Sequence, residues 1–237
     1  MRTMLRLVGV GLVAGMSVGC ATRAMAPQDW AQVVEEMEGK TGAVRAEEWA
    51  TKRTQAGRFD VLEGEGKVVE RRVEEGEGER WRVVSTRDGE KWVEETFAEG
   101  EGGTVLVESV SHEEGVITRF EPPLLVAPRK LAQGEAETWK GMMRIHPIDR
   151  PDEVRDEGEA EQEVRLAGSA RVRLASGVVE AGRVETTLRV TLKGAKVETT
   201  TTVWVSEGVG VAAERARERA TFLGLSVRDV RRALVRR

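Results

Sequence analysis

The sequence contains no tyrosine and no asparagine, and it has one cysteine and two histidines among 237 residues. A single cysteine excludes a disulfide within the chain, although a chain of this length can bury a core without one. The histidines, His112 and His146, have no second histidine or cysteine at metal-ligand spacing. Neither a Gly-x-Ser-x-Gly elbow nor a complete glycine-rich phosphate loop is present. We therefore expect no enzymatic activity, no metal and no cofactor.

Charged residues are plentiful, but the balance is slightly acidic. The 41 acidic residues outnumber the 37 basic ones, and the isoelectric point is about 5.6. A nucleic-acid-binding protein needs a basic footprint, so this balance argues against that class. Residues 214–237 are the exception, because they hold eight arginines and three acids. This segment predicts either contact with an anionic surface or folding onto the acidic remainder of the chain.

The first nineteen residues have the plan of an export signal. Arg2 and Arg6 are followed by a mostly apolar run, and small residues precede Cys20. The apolar run is shorter than the roughly 20 residues that span a bilayer. We predict a signal peptide over 1–19, a tether over 20–28 and a single mainly-β domain over 29–237.

The end of this leader, Ser17-Val18-Gly19-Cys20, resembles the lipobox of bacterial lipoproteins, with serine where leucine is usual. The resemblance implies that Cys20 is lipidated and becomes the mature N-terminus. The alternative is a free thiol behind an ordinary cleaved signal or a short membrane anchor. Because Ala21 is not aspartate, analogy with enteric bacteria implies sorting to the outer membrane. We expect a lipid-anchored protein of the bacterial envelope, on the periplasmic face of the outer membrane.

Most of the chain after residue 57 alternates apolar and polar residues with a period of two, which predicts strands. In the clearest run, 183–192, Val184, Leu188 and Val190 alternate with charged residues and threonines. Turn signals such as Asp88-Gly89 separate neighbouring candidates. Nine to eleven strands joined by hairpins predict one large antiparallel meander sheet. Since twist accumulates across strands, we expect this sheet to curl into a half-barrel.

Helices are predicted at both ends of this sheet. The first, 29–38, has a single apolar face, formed by Trp30, Val33, Val34 and Met37. A second and weaker helical stretch covers 44–53. Ser226 suits a helix N-cap, which predicts a further helix at the C-terminus. The expected fold class is therefore mainly β, of α+β type.

Three tryptophans in strand candidates are the predicted ligand-binding residues: Trp81, Trp92 and Trp204. One helical stripe does not cover a sheet of nine or more strands, so we predict a residual apolar groove near these side chains. Packing in the core is the alternative role for them. Met142 and Met143 are adjacent, so a regular strand directs them to opposite faces.

The run 202–211, Thr-Val-Trp-Val-Ser-Glu-Gly-Val-Gly-Val, resembles a late hairpin of uncharacterised bacterial envelope lipoproteins. The layout of signal, cysteine, helix and long antiparallel sheet is similar to half-barrel carriers of the lipoprotein-localisation type. This resemblance implies that the curled sheet holds an apolar ligand or a lipidated protein, without turnover. The alternative function is that of a non-catalytic structural or interaction lipoprotein with a filled core.

Overall fold

The computed structural model describes Trp30, residues 32–37, Val44, Arg45, Glu48 and residues 56–237. The predicted signal peptide, Cys20 and the predicted tether lie outside the described residues. From residue 56 onward the chain consists of strands and their connections, with no helix. Among the residues that the structure describes, no helix has the length and apolar character needed to cross a membrane.

The described chain forms fifteen strands, β1 to β15 in chain order. Their bounds are Val34–Met37, Val44–Arg45, Gly57–Glu63, Val68–Glu75, Arg80–Arg87, Glu90–Gly100, Gly103–Ser111, Val116–Pro128, Lys130–Leu131, Ala136–Pro147, Asp156–Leu174, Gly177–Leu192, Ala195–Ser206, Gly210–Phe222 and Leu225–Arg236. The two-residue strands β2 and β9 pair with each other. All other strands belong to one large sheet.

Twelve strands of this sheet form a closed antiparallel barrel. Their order around the ring is β11, β10, β8, β7, β6, β5, β4, β3, β15, β14, β13 and β12. The ring closes because β12 pairs with β11 along its whole length, from Gly177 opposite Leu174 to Leu192 opposite Gly158. The antiparallel sheet is confirmed, but the half-barrel is wrong. The C-terminal strand β15 supplies the missing wall, since it pairs with both β14 and β3.

The C-terminal helix is also wrong, because Leu225–Arg236 is strand β15. The apolar residues Val230 and Leu234 are four apart, which fits one helical face and also two inward positions of a strand. Arg232 lies between them at a third inward position and is buried. Because Arg232 is charged, the sequence does not show the alternation of apolar and polar residues that marks a strand. Pairing with β14 then makes this segment a strand rather than a helix.

The predicted N-terminal helices are only partly right among the described residues: Trp30, Gln32, Val33 and Glu48 are helical, and the others are strand. Val34–Met37, inside the predicted helix 29–38, is strand β1 and pairs with the C-terminal half of β11. Val34 lies opposite Val172, and both side chains are buried. Val44–Arg45, inside the predicted stretch 44–53, is strand β2. β1 and β2 thus pair with β11 and β9, and this pairing outweighs the helical pattern of their own residues.

The strand faces in 183–192 are confirmed. Leu188 and Val190 are buried on β12, and Arg189 between them is exposed. The Asp88-Gly89 hairpin is also confirmed, with both residues at positive φ, 52° and 92°. This is the backbone that a two-residue type I′ turn requires. Met143 is fully buried on β10, whereas Met142 is partly exposed.

Two apolar clusters lie inside the barrel. The first, the Trp81 cluster, contains Trp81 and Phe97 from one wall and Leu188 and Val197 from another. The strands β5 and β12 are six places apart in a ring of twelve, so this cluster joins opposite walls. The second, the Phe59 cluster, likewise combines residues of β3 and β4 with residues of β11 to β13. Because each cluster contains residues from opposite walls of the barrel, their side chains fill the space between those walls.

Candidate functional site: the charged interior of the barrel

The inner face of β14 carries acids where an ordinary strand would carry apolar residues. In the run Glu214-Arg215-Ala216-Arg217-Glu218, the period of two directs the glutamates to one face and the arginines to the other. Both glutamates are buried, while the two arginines are more accessible. Pairing confirms the direction, because Glu214 lies opposite the buried residue Leu234 of β15.

Glu214 is the centre of a buried ionic triad. Arg71 donates from Nη2 to Glu214 Oε2 over 2.8 Å, and Arg232 donates from Nη2 to Glu214 Oε1 over 2.6 Å. The guanidinium of Arg71 also lies 4.9 Å from the ring centre of Phe59, and that of Arg232 lies 4.7 Å from Trp92. Each carboxylate oxygen therefore has its own cation, and each cation has an aromatic neighbour.

Burial and charge oppose each other within this triad. Burial raises the pKa of the Glu214 carboxyl, but the charges and hydrogen bonds of Arg71 and Arg232 outweigh it and hold the pKa below its usual value. Burial lowers the pKa of Arg232 to about 10, with Glu214 opposing and Arg71 adding to the decrease. At neutral pH all three groups are therefore charged, and the triad carries one net positive charge.

A second ionic group, centred on Arg228, lies further along the inner face. Arg228 Nη1 is 2.9 Å from Glu114 Oε1, and its Nε is 2.9 Å from Glu218 Oε1. Burial raises the pKa of Glu218 to about 7, although the charge of Arg228 opposes this rise. Glu218 is thus close to half protonated at neutral pH.

A third acidic group, Glu95, points to the same interior from β6. It lies opposite Val83 and Ser109, both of which are buried. Burial raises its pKa to about 8; Arg71 opposes the rise and Glu214 adds to it. Carboxyls with raised pKa values occur in acid–base sites and also in structural ion networks. The described residues contain no group of three potential metal ligands.

We expect the free energy of unfolding to fall as the pH rises from about 5 to 8. Glu95 and Glu218 keep protons in the folded state at pH values where the unfolded chain has released them, so folding is penalised progressively until both have ionised. Glu95→Gln should remove part of this slope, a difference on the order of 4 kcal/mol at pH 8. Urea unfolding at several pH values measures it. Glu90→Gln, at an exposed position on the same strand, is the control and should leave the slope unchanged.

The three tryptophans predicted to bind a ligand do not come together. Trp81 stacks on Phe97 in the Trp81 cluster, with ring centres 5.9 Å apart. Trp92 belongs to the Phe59 cluster and donates from Nε1 to Glu113 Oε2 over 3.3 Å. Trp204 lies opposite Arg183 on the outer face and packs against Trp30, with ring centres 5.1 Å apart. All three are buried, in three different clusters, and the binding role remains a prediction.

The sequence reading did not identify the charged interior. Its signal was present in β14, where alternation separates Glu and Ala from Arg. In the sequence both faces of such a strand carry charged residues. Only its pairing with the neighbouring strands determines which face is buried. Six of the eight C-terminal arginines lie within ion-pair distance of acids of this chain, and contact with an anionic surface stays a prediction. Arg228 and Arg232 fold onto acids inside the barrel, whereas Arg217, Arg219 and Arg231 lie on the outer face.

No protein-family model and no curated protein matches the chain. Among solved structures, the chain is similar to the hypothetical lipoprotein YmcC from Escherichia coli (K12), with 14% sequence identity and a TM-score of 0.42. The matched region covers 81% of this chain and 93% of that one. A likeness at this level carries no functional inference, so the proposals below are argued from the residues of this chain.

Proposed function

We propose that the protein is a non-catalytic, lipid-anchored interaction protein of the bacterial envelope, built on a rigid barrel with a filled interior. The observation that carries this proposal is the content of the barrel. Apolar residues from opposite walls share one cluster, and buried ion pairs occupy inner positions of β4, β14 and β15. A filled interior leaves the outer face as the surface on which partners are met.

The ionic groups support this function over that of an acyl carrier. An apolar chain lying against Glu214, Glu218 or Arg232 would bury charges beside hydrocarbon, which is costly. The separation of Trp81, Trp92 and Trp204 into three clusters also argues against one aromatic-lined groove. The carrier function predicted from the sequence is therefore the competing outcome of the test.

Titration with a fatty acid, followed by tryptophan fluorescence, tests the filled interior. We expect no saturable change at micromolar ligand, because side chains of the described strands fill the space between the barrel walls. The folded state is verified in the same sample by its β-type circular dichroism. A saturable change that Leu188→Phe abolishes would support the carrier function instead, since Leu188 lies between the walls of the Trp81 cluster. Conversion of the added fatty acid into released products would contradict both the carrier function and the interaction function, because both are non-catalytic.

Anchoring is proposed to depend on Cys20, the single cysteine at the end of the apolar leader. Cys20→Ala should move the protein from the membrane fraction to the soluble fraction or stall its processing. Gln28→Ala, in the predicted tether and outside the lipobox-like motif, is the control and should leave fractionation unchanged. A mature N-terminus well beyond residue 20 would overturn the proposed lipidation.

A further inference from the structure

The outer face of β13 to β15 contains an open groove with an unusual concentration of arginine. We call it the arginine groove, and its lining includes Glu198, Thr200, Arg215, Arg217, Arg219 and Arg231. Pairing places Thr200, Arg217 and Arg231 side by side on three neighbouring strands. Like charges directly opposite each other destabilise a sheet, so this row favours an anion from outside.

The acids near the groove neutralise only part of this charge. Asp229 accepts from Arg217 Nε over 2.8 Å and from Nη2 over 2.5 Å, and Arg219 is 3.9 Å away. Glu198 accepts from Arg189 over 3.1 Å. Arg215 Nη2 lies 3.7 Å from Glu63 Oε2, whereas Arg231 acts on Asp229 through its charge, with no ion-pair contact among the described residues. The groove therefore has guanidinium groups and the Thr200 hydroxyl available for the oxygens of a phosphate group.

The position of the N-terminal segment connects this groove to the membrane. Trp30 packs on Trp204, and the guanidinium of Arg215 lies 5.9 Å from the centre of the Trp30 ring. Nine residues lie between Cys20 and Trp30, and the ten steps from one Cα to the next span at most about 35 Å. A lipid on Cys20 would therefore hold the bilayer surface within reach of the groove.

We propose that the arginine groove binds the phosphates of anionic phospholipid headgroups and orients the barrel on its membrane. This inference rests on the proposed lipid anchor for its choice of partner. The interaction is electrostatic, so it weakens as salt rises. It gives the barrel a fixed membrane-facing side, and the opposite side then points toward soluble partners.

Sedimentation with vesicles tests this proposal on the chain that begins at Ala21, which carries neither the apolar leader nor a lipid on Cys20. We expect binding to phosphatidylglycerol–phosphatidylcholine vesicles and much weaker binding to phosphatidylcholine alone. Adding Arg219→Gln and Arg231→Gln should lower the partition coefficient roughly ten- to thirty-fold. The control pair Arg72→Gln and Arg150→Gln makes the same charge change at exposed positions outside the groove and should have a much smaller effect.

Equal losses in the groove and control pairs, or no preference for phosphatidylglycerol, would overturn the proposal. Calorimetric titration with inorganic phosphate at constant ionic strength separates the two sources of phosphate. Saturable micromolar binding of free phosphate would assign the groove to a soluble anion and overturn the headgroup assignment. Because every arm lacks the lipid on Cys20, failure here leaves the anchoring experiment unaffected, and the two failures are distinguishable.

Discussion

Glu214→Gln is expected to lower the free energy of unfolding by about 3–5 kcal/mol. The substitution preserves the size of the side chain but removes the charge that Arg71 and Arg232 share. Both guanidiniums then lose the carboxylate that they share and lie beside each other in the barrel interior. Urea unfolding at pH 7 measures the loss as a lower midpoint at an unchanged slope.

Glu198→Gln is the matched control for this prediction. Glu198 lies on the neighbouring strand and pairs with Arg189 at 3.1 Å, but both side chains are exposed to solvent. Exposed pairs contribute about 0–1 kcal/mol, so this substitution should have little effect. Replacing Arg71, Glu214 and Arg232 together with apolar residues should recover much of the loss, because none of these three positions then carries a buried charge. Equal effects of the two single substitutions would show that the triad is not in the interior.

Leu188→Asp is expected to destabilise the protein by more than about 4 kcal/mol, because it places an unpaired charge in the Trp81 cluster. Leu188→Ala tests the same position without a charge and should cost about 2–5 kcal/mol through the cavity that it leaves. Arg189→Asp is the control on the adjacent, outward position, and it should cost no more than about 1 kcal/mol. Similar costs at 188 and 189 would mean that the assigned faces of β12 are wrong.

Strands were predictable where alternation and turns agree. In β12, apolar residues occupy consecutive inward positions, and the Ser176-Gly177 and Lys193-Gly194 turns mark both of its ends. The Asp88-Gly89 turn likewise determines the hairpin of β5 and β6. These signals are local, and a single sequence contains them in full.

Closure of the barrel was not predictable in the same manner. It depends on pairing between β15 and β3, which are more than 160 residues apart, and on the inward arginines of β15. An arginine is expected to be solvent-exposed until its partner is known, and the partners are Glu114 in the turn between β7 and β8 and Glu214 on β14. For the same reason the sequence directed attention to Trp81, Trp92 and Trp204, while the buried charges were missed.

The electron density inside the barrel of the purified, folded protein tests the filled interior most directly. We predict density for the side chains around Trp81, Leu188, Arg71, Glu214 and Arg232, with ordered water as the sole additional content. The inner face of β12 should contact the side chains of β5 across the barrel. An elongated apolar density between Trp81 and Leu188, or an open concavity in their place, would contradict the account.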